Sequence, residues 1–219
     1  MVAAAAWAAG AHLHDIRQSL RTFTTSYFMS PGRLNMFELD GYRVVVDYAH
    51  NAPAVEALGA FVDRLAEPSS GSGRALVSGR RIGVIATAGD RRDADIRQIG
   101  RVAARYFDSI VIREDANNRG RPRGGTAALI EEGVRAAMAK GARCAAVETI
   151  TDEMDATRYA LDAGREGDVV VVCVDYANNV WKELQRRQHG GSSPQADSAA
   201  ASATTNAADP EFDELSEAF

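Results

Sequence analysis

Between residues 42 and 187 the chain alternates two hydrophobic periods. Tyr42–Asp47 (YRVVVD), Arg81–Thr87 (RIGVIAT), Ser109–Arg113 (SIVIR), Cys144–Ile150 (CAAVETI) and Asp168–Val174 (DVVVVCV) are short runs, apolar on successive residues and rich in β-branched side chains. Such runs predict strands buried on both faces. The segments between them repeat at helical spacing. Val55, Leu58, Val62 and Leu65 form one apolar face, and Ile96, Ile99, Ala103 and Tyr106 a second. Ile130, Val134 and Ala137 form a third. Met154, Thr157, Arg158 and Leu161 form a fourth, and Val180, Trp181 and Leu184 begin a fifth. Strand–helix alternation predicts an α/β, Rossmann-like, mostly parallel sheet with helices on both faces. Ligands of such sheets bind at the carboxyl ends of the strands.

Three segments stand apart from this body, which runs over 31–187. Residues 1–30 hold an Ala-rich helix and a second amphipathic stretch (Leu13, Ile16, Leu20, Phe23) with no strand of their own. Residues 188–219 are rich in Ser, Ala, Thr, Gly and Asp, with few large apolar groups, and read as a disordered tail. Glu67–Gly79 reads as a flexible surface insertion.

At 219 residues, one ordinary domain plus extras is expected. The net charge of −5 hides a split: residues 190–219 carry six acidic and no basic groups. The rest holds 25 basic and 24 acidic residues, a net +1, which gives no support to nucleic-acid binding. Two cysteines, Cys144 and Cys173, make neither a disulfide framework nor a structural zinc site. No apolar run reaches membrane-spanning length, and the Ala-rich start lacks the basic opening of a secretory leader. A cytoplasmic protein is expected.

The strand ends carry the polar chemistry. The first runs into Asp47-Tyr48-Ala49-His50-Asn51-Ala52-Pro53. Asn51 is a good helix cap and Pro53 suits a first turn. Capping leaves Asp47 and His50 unexplained: a carboxylate there can accept from ribose hydroxyls, and His or Asn can hold a purine edge or a phosphate at a helix N-terminus. The second strand ends in Thr87-Ala88-Gly89-Asp90-Arg91-Arg92-Asp93, where Asp90 is expected to cap the next helix and the arginines suit an anion. After the third comes Arg113-Glu114-Asp115-Ala116-Asn117-Asn118-Arg119-Gly120-Arg121, whose acids and arginines could read both ends of an amino acid. A solvated loop with internal ion pairs is the bland alternative. After the fifth, Asn178 or Asn179 is expected to cap the last helix.

Absences narrow the chemistry. There is no GxxxxGK[ST] phosphate loop, no GxGxxG after a strand, no HExxH and no nucleophile elbow. Neither lysine, Lys140 or Lys182, lies in a Gly-rich loop.

Together, Pro31-Gly32-Arg33-Leu34, the strand ending in Asp47-Tyr48-Ala49-His50-Asn51, and Gly89-Asp90-Arg91-Arg92-Asp93 resemble the C-terminal domain of Mur-type ATP-dependent amide ligases. Gly32–Asp40 (GRLNMFELD), and Arg113-Glu114-Asp115 followed by Arg119-Gly120-Arg121, are similar to the Mur-ligase half of cyanophycin synthetases. The resemblance covers residues 10–187. It implies a ligase acting through an acyl phosphate, with ATP and Mg2+ as cofactors and arginine as the amino acid added to a carboxylate. It implies a central ATPase domain, in this or another chain, that carries the phosphate loop and the Mg2+ ligands, and residues 1–30 resemble only its last helices. By the same resemblance, Arg33, Asp47, His50 and Asn51 bind nucleotide. The loop from Arg113 to Arg121 lies where relatives recognise the amino acid. Asp90, Arg91, Glu114, Asp115, Arg119 and Arg121 are its candidate contacts, with Glu114 and Asp115 available to a guanidinium. No complete catalytic set and no metal site is expected in the chain itself. Ala52 between Asn51 and Pro53 departs from relatives in which Pro follows the Asn directly. Two other readings are a stand-alone nucleotide- or amino-acid-binding module, whose first 30 residues would fold back over their own apolar face, and a complete small enzyme of different nucleotide chemistry.

Overall fold

The computed structural model describes residues 2–22, 27–28, 30–68 and 75–189. Phe23, the centre of the expected insertion and the acidic tail lie outside the described residues. The elements in chain order are α1 (Val2–Ala8), α2 (Leu13–Thr22), β1 (Asn35–Leu39), β2 (Tyr42–Asp47), α3 (Ala52–Ala66), β3 (Arg81–Ile85) and α4 (Asp93–Tyr106). Then follow β4 (Ser109–Ile112), α5 (Gly125–Met138), β5 (Ala146–Thr149), α6 (Glu153–Ala163), β6 (Val169–Cys173) and α7 (Ala177–Gln188). One six-stranded sheet has the order β1-β2-β6-β3-β4-β5, parallel throughout except for β1.

Alternate residues of each central strand enter opposite cores, as the pleat requires. Val45, Ile85, Ile110, Ile112, Val169 and Val171 pack under α3, α4 and α5. Val44, Val46, Ile82, Val84, Val111, Val170 and Val172 pack with α6 and α7. The helical faces of α3, α4 and α5 are the expected ones, through Val62, Ile99 and Val134 among others. Two expectations on burial need correction. β5 is a largely exposed edge strand, because nothing pairs beyond it and its turn into the sheet covers only Val147 in part. On α6, Thr157 and Leu161 are buried as expected, together with Ala156 and Ala160, but Arg158 points outward to Asp155.

The strand β1 was not expected. Its turn residues Asp40 and Gly41 both have positive φ (+47° and +82°), the geometry that an Asp-Gly pair favours in a two-residue hairpin. The hairpin puts β1 antiparallel on β2, with Asn35 opposite Val46. Tyr27 stacks on Trp181 of α7 at 4.1 Å between ring centroids, with Phe28 and Phe37 against the same indole. Packing therefore reaches back to residue 27, ahead of the expected boundary at 30.

Helices α4 and α5 touch closely where Gly100 faces the Ile130 carbonyl and Gly133 faces the Arg97 carbonyl; a Cβ on either glycine would collide with backbone. Among the described residues no helix is long and apolar enough to cross a membrane.

Candidate functional site

The carboxyl ends of β2, β6, β3 and β4 lie side by side, and two polar groups form there. The first surrounds β2. A turn at Gly32 (φ +68°) and Leu34 (φ +50°) brings residues 30–35 beside the strand end. Gly32 is needed for that φ and for room, since a Cβ would enter the Tyr48 ring. The turn is stitched in place. Tyr48 N–H donates to the Gly32 carbonyl at 2.9 Å, and Gly32 N–H to the buried Asn35 Oδ1 at 2.7 Å. Leu34 N–H donates to Asp47 Oδ2 at 2.9 Å. Arg33, exposed, lies over the Tyr48 ring at 5.2 Å from its centroid. Burial pushes the Asp47 carboxyl above its ordinary value, against the N–H groups of Leu34 and Ala49 and the charges of Arg33 and His50.

Beyond Asp47, His50 Nδ1 lies 2.7 Å from the Tyr48 carbonyl, and Thr87 Oγ1 donates to the His50 carbonyl at 2.7 Å. That bond ties the end of β3 to this loop. Asn51 caps α3, accepting from Ala54 N–H at 2.9 Å, with Pro53 in the first turn as expected. Arg33, Asp47, His50 and Asn51 are thus together on one strand end and its linker turn.

The second group centres on Arg113, which continues β4 and is 1% exposed. Its Nε and Nη2 donate to the Cys173 carbonyl at 3.1 and 2.8 Å. Its Nη1 donates to Asp175 Oδ2 at 2.6 Å. Glu153 lies 3.2 Å from Nη2 and Asp115 3.6 Å from Nη1. Glu153 also accepts the N–H groups of Asp175 and Tyr176 at 2.7 and 3.1 Å. Three loops are therefore joined through one guanidinium. Asp115 and Asp175 converge on the same Arg113 Nη1, at 3.6 and 2.6 Å. Burial and the neighbouring Asp175 raise the Asp115 carboxyl to about 7, against the attraction of Arg113 and Arg119. Burial acts on Asp175 as well, but Arg113 outweighs it and holds that carboxyl low.

A cleft of about 160 Å³ opens over this group, lined by Arg123, Asp152, Glu153, Asp175, Tyr176 and Asn179 among others. Its polar walls and small volume suit part of a small charged molecule.

Of the expected amino-acid contacts, Asp115 faces the Asp175 pair. Glu114 lines the cleft as well, but both of its carboxylate oxygens accept bonds from the chain itself. One oxygen accepts from Thr126 and Ala127 N–H at 3.0 and 2.9 Å, the other from Gly124 N–H at 2.7 Å and Asn118 at 3.1 Å. Burial alone would raise its carboxyl; these bonds and Arg123 instead hold it below the ordinary value. It satisfies the start of α5, where Gly124 offers no side-chain cap. Arg121 is likewise turned inward, donating to the Gly89 and Arg91 carbonyls and to Asp93. Arg119 pairs with Asp90 at 3.2 Å on the surface, so Asp90 does not cap α4, whose cap position is Arg92. Arg91 borders a separate cavity of about 140 Å³ with Asn51, Pro53 and Gln98, and its Nε is buried without a partner.

Asn178 and Asn179 do not cap α7 either. The cap position is Tyr176, and Glu153 takes the free N–H groups just before the helix. Arg113 and Glu153 were not singled out from the sequence. Arg113 carried a signal, a cation closing an apolar strand and followed by two acids; Glu153 carried none, since an acid in a first helical turn is commonplace. Among the described residues, no three His, Cys, Asp or Glu side chains converge into a metal-binding group.

Comparison with known proteins agrees with this geometry. Residues 32–174 match the family described as Mur ligase, glutamate ligase domain. The chain is 39% identical over 183 residues to a cyanophycin synthetase of Crocosphaera subtropica and 42% identical over 184 residues to that of Synechocystis. Each match covers 84% of this chain but only 19% of the relative, so the chain spans about a fifth of their length. A UDP-N-acetylmuramoyl-L-alanyl-D-glutamate–2,6-diaminopimelate ligase of Corynebacterium efficiens is 33% identical over 144 residues, 65% of this chain and 25% of that protein. Among solved structures, E. coli FolC in complex with DHPP and ADP matches 84% of this chain and 38% of its own at a TM-score of 0.57 and 24% identity, a likeness of fold. The sheet and the matched span agree: the chain belongs to the Mur ligase family, as its glutamate ligase domain.

Proposed function

We propose that this chain is the C-terminal part of an ATP-dependent amide ligase that adds an amino acid, arginine, to a carboxylate by way of an acyl phosphate. The observation that carries the reading is the stitched linker turn at β2: Asp47 is fixed by Leu34 N–H, Arg33 lies over the next residue, Tyr48, and His50 and Asn51 follow in the same loop. In this reading Asp47 accepts from the ribose hydroxyls, and Arg33 and the helix start at Asn51 face phosphate. The relatives are cyanophycin synthetases, and structures with ADP share the fold, which supports ATP as the nucleotide.

The cleft over Arg113 takes the incoming amino acid. Glu114 and Asp175 are in its wall, Asp115 lies behind Asp175 at Arg113, Arg119 pairs with Asp90 and Arg121 ties down the same loop, and Arg91 offers a cation at the start of α4. Transfer of phosphate needs charge neutralisation that a metal and a phosphate loop supply. The described residues offer no ligand set for Mg2+, and those groups belong to a central ATPase domain. Residues 1–30 are read as the end of that domain. The exposure of Trp7 (64%), Leu13 (57%) and Leu20 (59%) supports a covering partner and speaks against a self-contained binding module. No nucleic acid or membrane enters this reading, and a cytoplasmic location goes with the ligase class.

The test is titration of the full chain with ATP and ADP, observed at backbone amides. Shifts confined to residues 33–35, 47–51 and 87–91 are expected, and loss of them in Asp47→Asn. Binding that survives this substitution would remove the ribose assignment.

A further inference from the structure

The charge around Arg113 does not balance. One guanidinium faces three carboxylates, those of Asp175, Glu153 and Asp115. Glu153 is satisfied by two backbone N–H groups as well as by Arg113. The Arg113 donors are spent on Cys173 and Asp175. The residual negative charge falls on Asp115 and Asp175, half-buried and converging on the same Arg113 Nη1, where two ionised carboxylates repel strongly. Such a pair requires either one proton or one cation. The other charged groups facing it are Arg119 from its own loop and His50 from the loop after β2, both at a distance that gives attraction without a bond. Asp175 lines the cleft, beside Asp152 and Glu153, so a cationic nitrogen entering there can reach the Asp175 carboxylate and, behind it, Asp115.

We propose that the Asp115–Asp175 carboxyl pair is the proton acceptor for the amine of the incoming amino acid. The inference rests on the amide-ligase reading above and adds to it which groups receive the proton. An amine attacks only as its neutral form. In the step assigned here an ammonium N–H bond breaks at Asp175, the carboxylate in the cleft wall, and the proton comes to rest on Asp115, whose carboxyl is the raised one of the pair. The freed nitrogen lone pair forms the C–N bond at the acyl phosphate carbonyl. The C–O bond to phosphate then breaks and phosphate leaves. A carboxyl titrating at about 7, as Asp115 does, is matched to accept a proton near neutral pH. Arg113 and Glu153 are positioning residues: they hold Asp175 and the loop after β6 at the cleft.

The test uses the full chain with 13C-carboxyl-labelled aspartate. The Asp115 signal is followed through pH alone, with L-arginine, and with 5-guanidinopentanoate, which lacks the α-amine. Asp115→Asn and Asp175→Asn assign the signals. The expected midpoint near 7 falls by about one pH unit or more with L-arginine and stays in place with the amine-free analogue. A midpoint in the ordinary carboxylate range overturns the inference. So does an equal shift with both ligands, or no shift with L-arginine while the Tyr176 and Asn179 amides move. Those results leave the amide-ligase reading in place. If no cleft amide responds to L-arginine, the amino-acid half of that reading fails and the inference fails with it.

Discussion

Arg113 and Asp175 lie 62 positions apart in the chain, yet Nη1 of one is 2.6 Å from Oδ2 of the other. The bond closes the space between the ends of β4 and β6 and is reinforced by two further bonds from the same guanidinium to the Cys173 carbonyl. A flexible ammonium cannot reproduce three forked contacts. Arg113→Lys is therefore expected to lower stability, and Arg113→Ala to lower it more, by about 3–5 kcal/mol, because buried carboxylates lose their counter-charge. Chemical denaturation of the two variants beside the parent checks the order.

Asp115 gives a pH-dependent effect whose sign follows from linkage. Its carboxyl is raised in the folded chain to about 7 from an ordinary 3.8, so the folded state holds the proton more tightly. Its stabilising contribution is complete below the ordinary 3.8, declines as the unfolded chain ionises, and is gone above about 7. Asp115→Asn keeps the shape and removes the charge. The variant is expected to gain about 1–2 kcal/mol on the parent between about pH 5.5 and about pH 8.5. Thermal unfolding at the two pH values reads this directly.

Glu114 behaves in the opposite sense. Its carboxyl is held below its ordinary 4.5, so its stabilisation is present above that value and is lost as pH falls through the lowered one. Glu114→Gln leaves backbone N–H groups at the start of α5 without full acceptors, at a cost of about 1–3 kcal/mol at neutral pH. Amide exchange of Gly124, Thr126 and Ala127 is expected to quicken in the variant, and unchanged exchange would contradict the capping role.

Gly133 tests the packing of the α4–α5 pair. A methyl there meets the Arg97 carbonyl, which cannot move without displacing the helix. Gly133→Ala is expected to destabilise by about 1–3 kcal/mol, although alanine favours helix on propensity alone. An increase in melting temperature would show that the helices have room.

Much of this was legible in the sequence, for identifiable reasons. Strands such as Val169–Cys173 are apolar at every position because both faces are covered, and they read as such. Asn51 caps α3 through a local bond three residues on, within reach of sequence reasoning. The hairpin strand β1 escaped because Asn35–Leu39 (NMFEL) buries a polar residue, Asn35, exposes an apolar one, Met36, and lies at an edge, yet Asp40-Gly41 was its available signal. At the site the failures are all of one kind. Asp90, Asn178 and Asn179 were expected as helix caps from what lies next to them in the chain. Their actual environments are set by partners from other loops, as with Asp90 and Arg119 or Glu153 and Tyr176. Residue type and spacing located the strand ends; they could not say which carboxylates the fold would use internally and which it would leave to a ligand.

The central claim is that the end of β2 and its linker turn form the ribose-facing part of an ATP site. The most direct measurement is the backbone amide spectrum of the full chain titrated with ADP, for the parent and for Asp47→Asn. The expected result is a saturable shift at Leu34, Asp47, His50 and Asn51 in the parent, absent in a variant that remains folded. Shifts elsewhere on the sheet, or unchanged binding by Asp47→Asn, would contradict it.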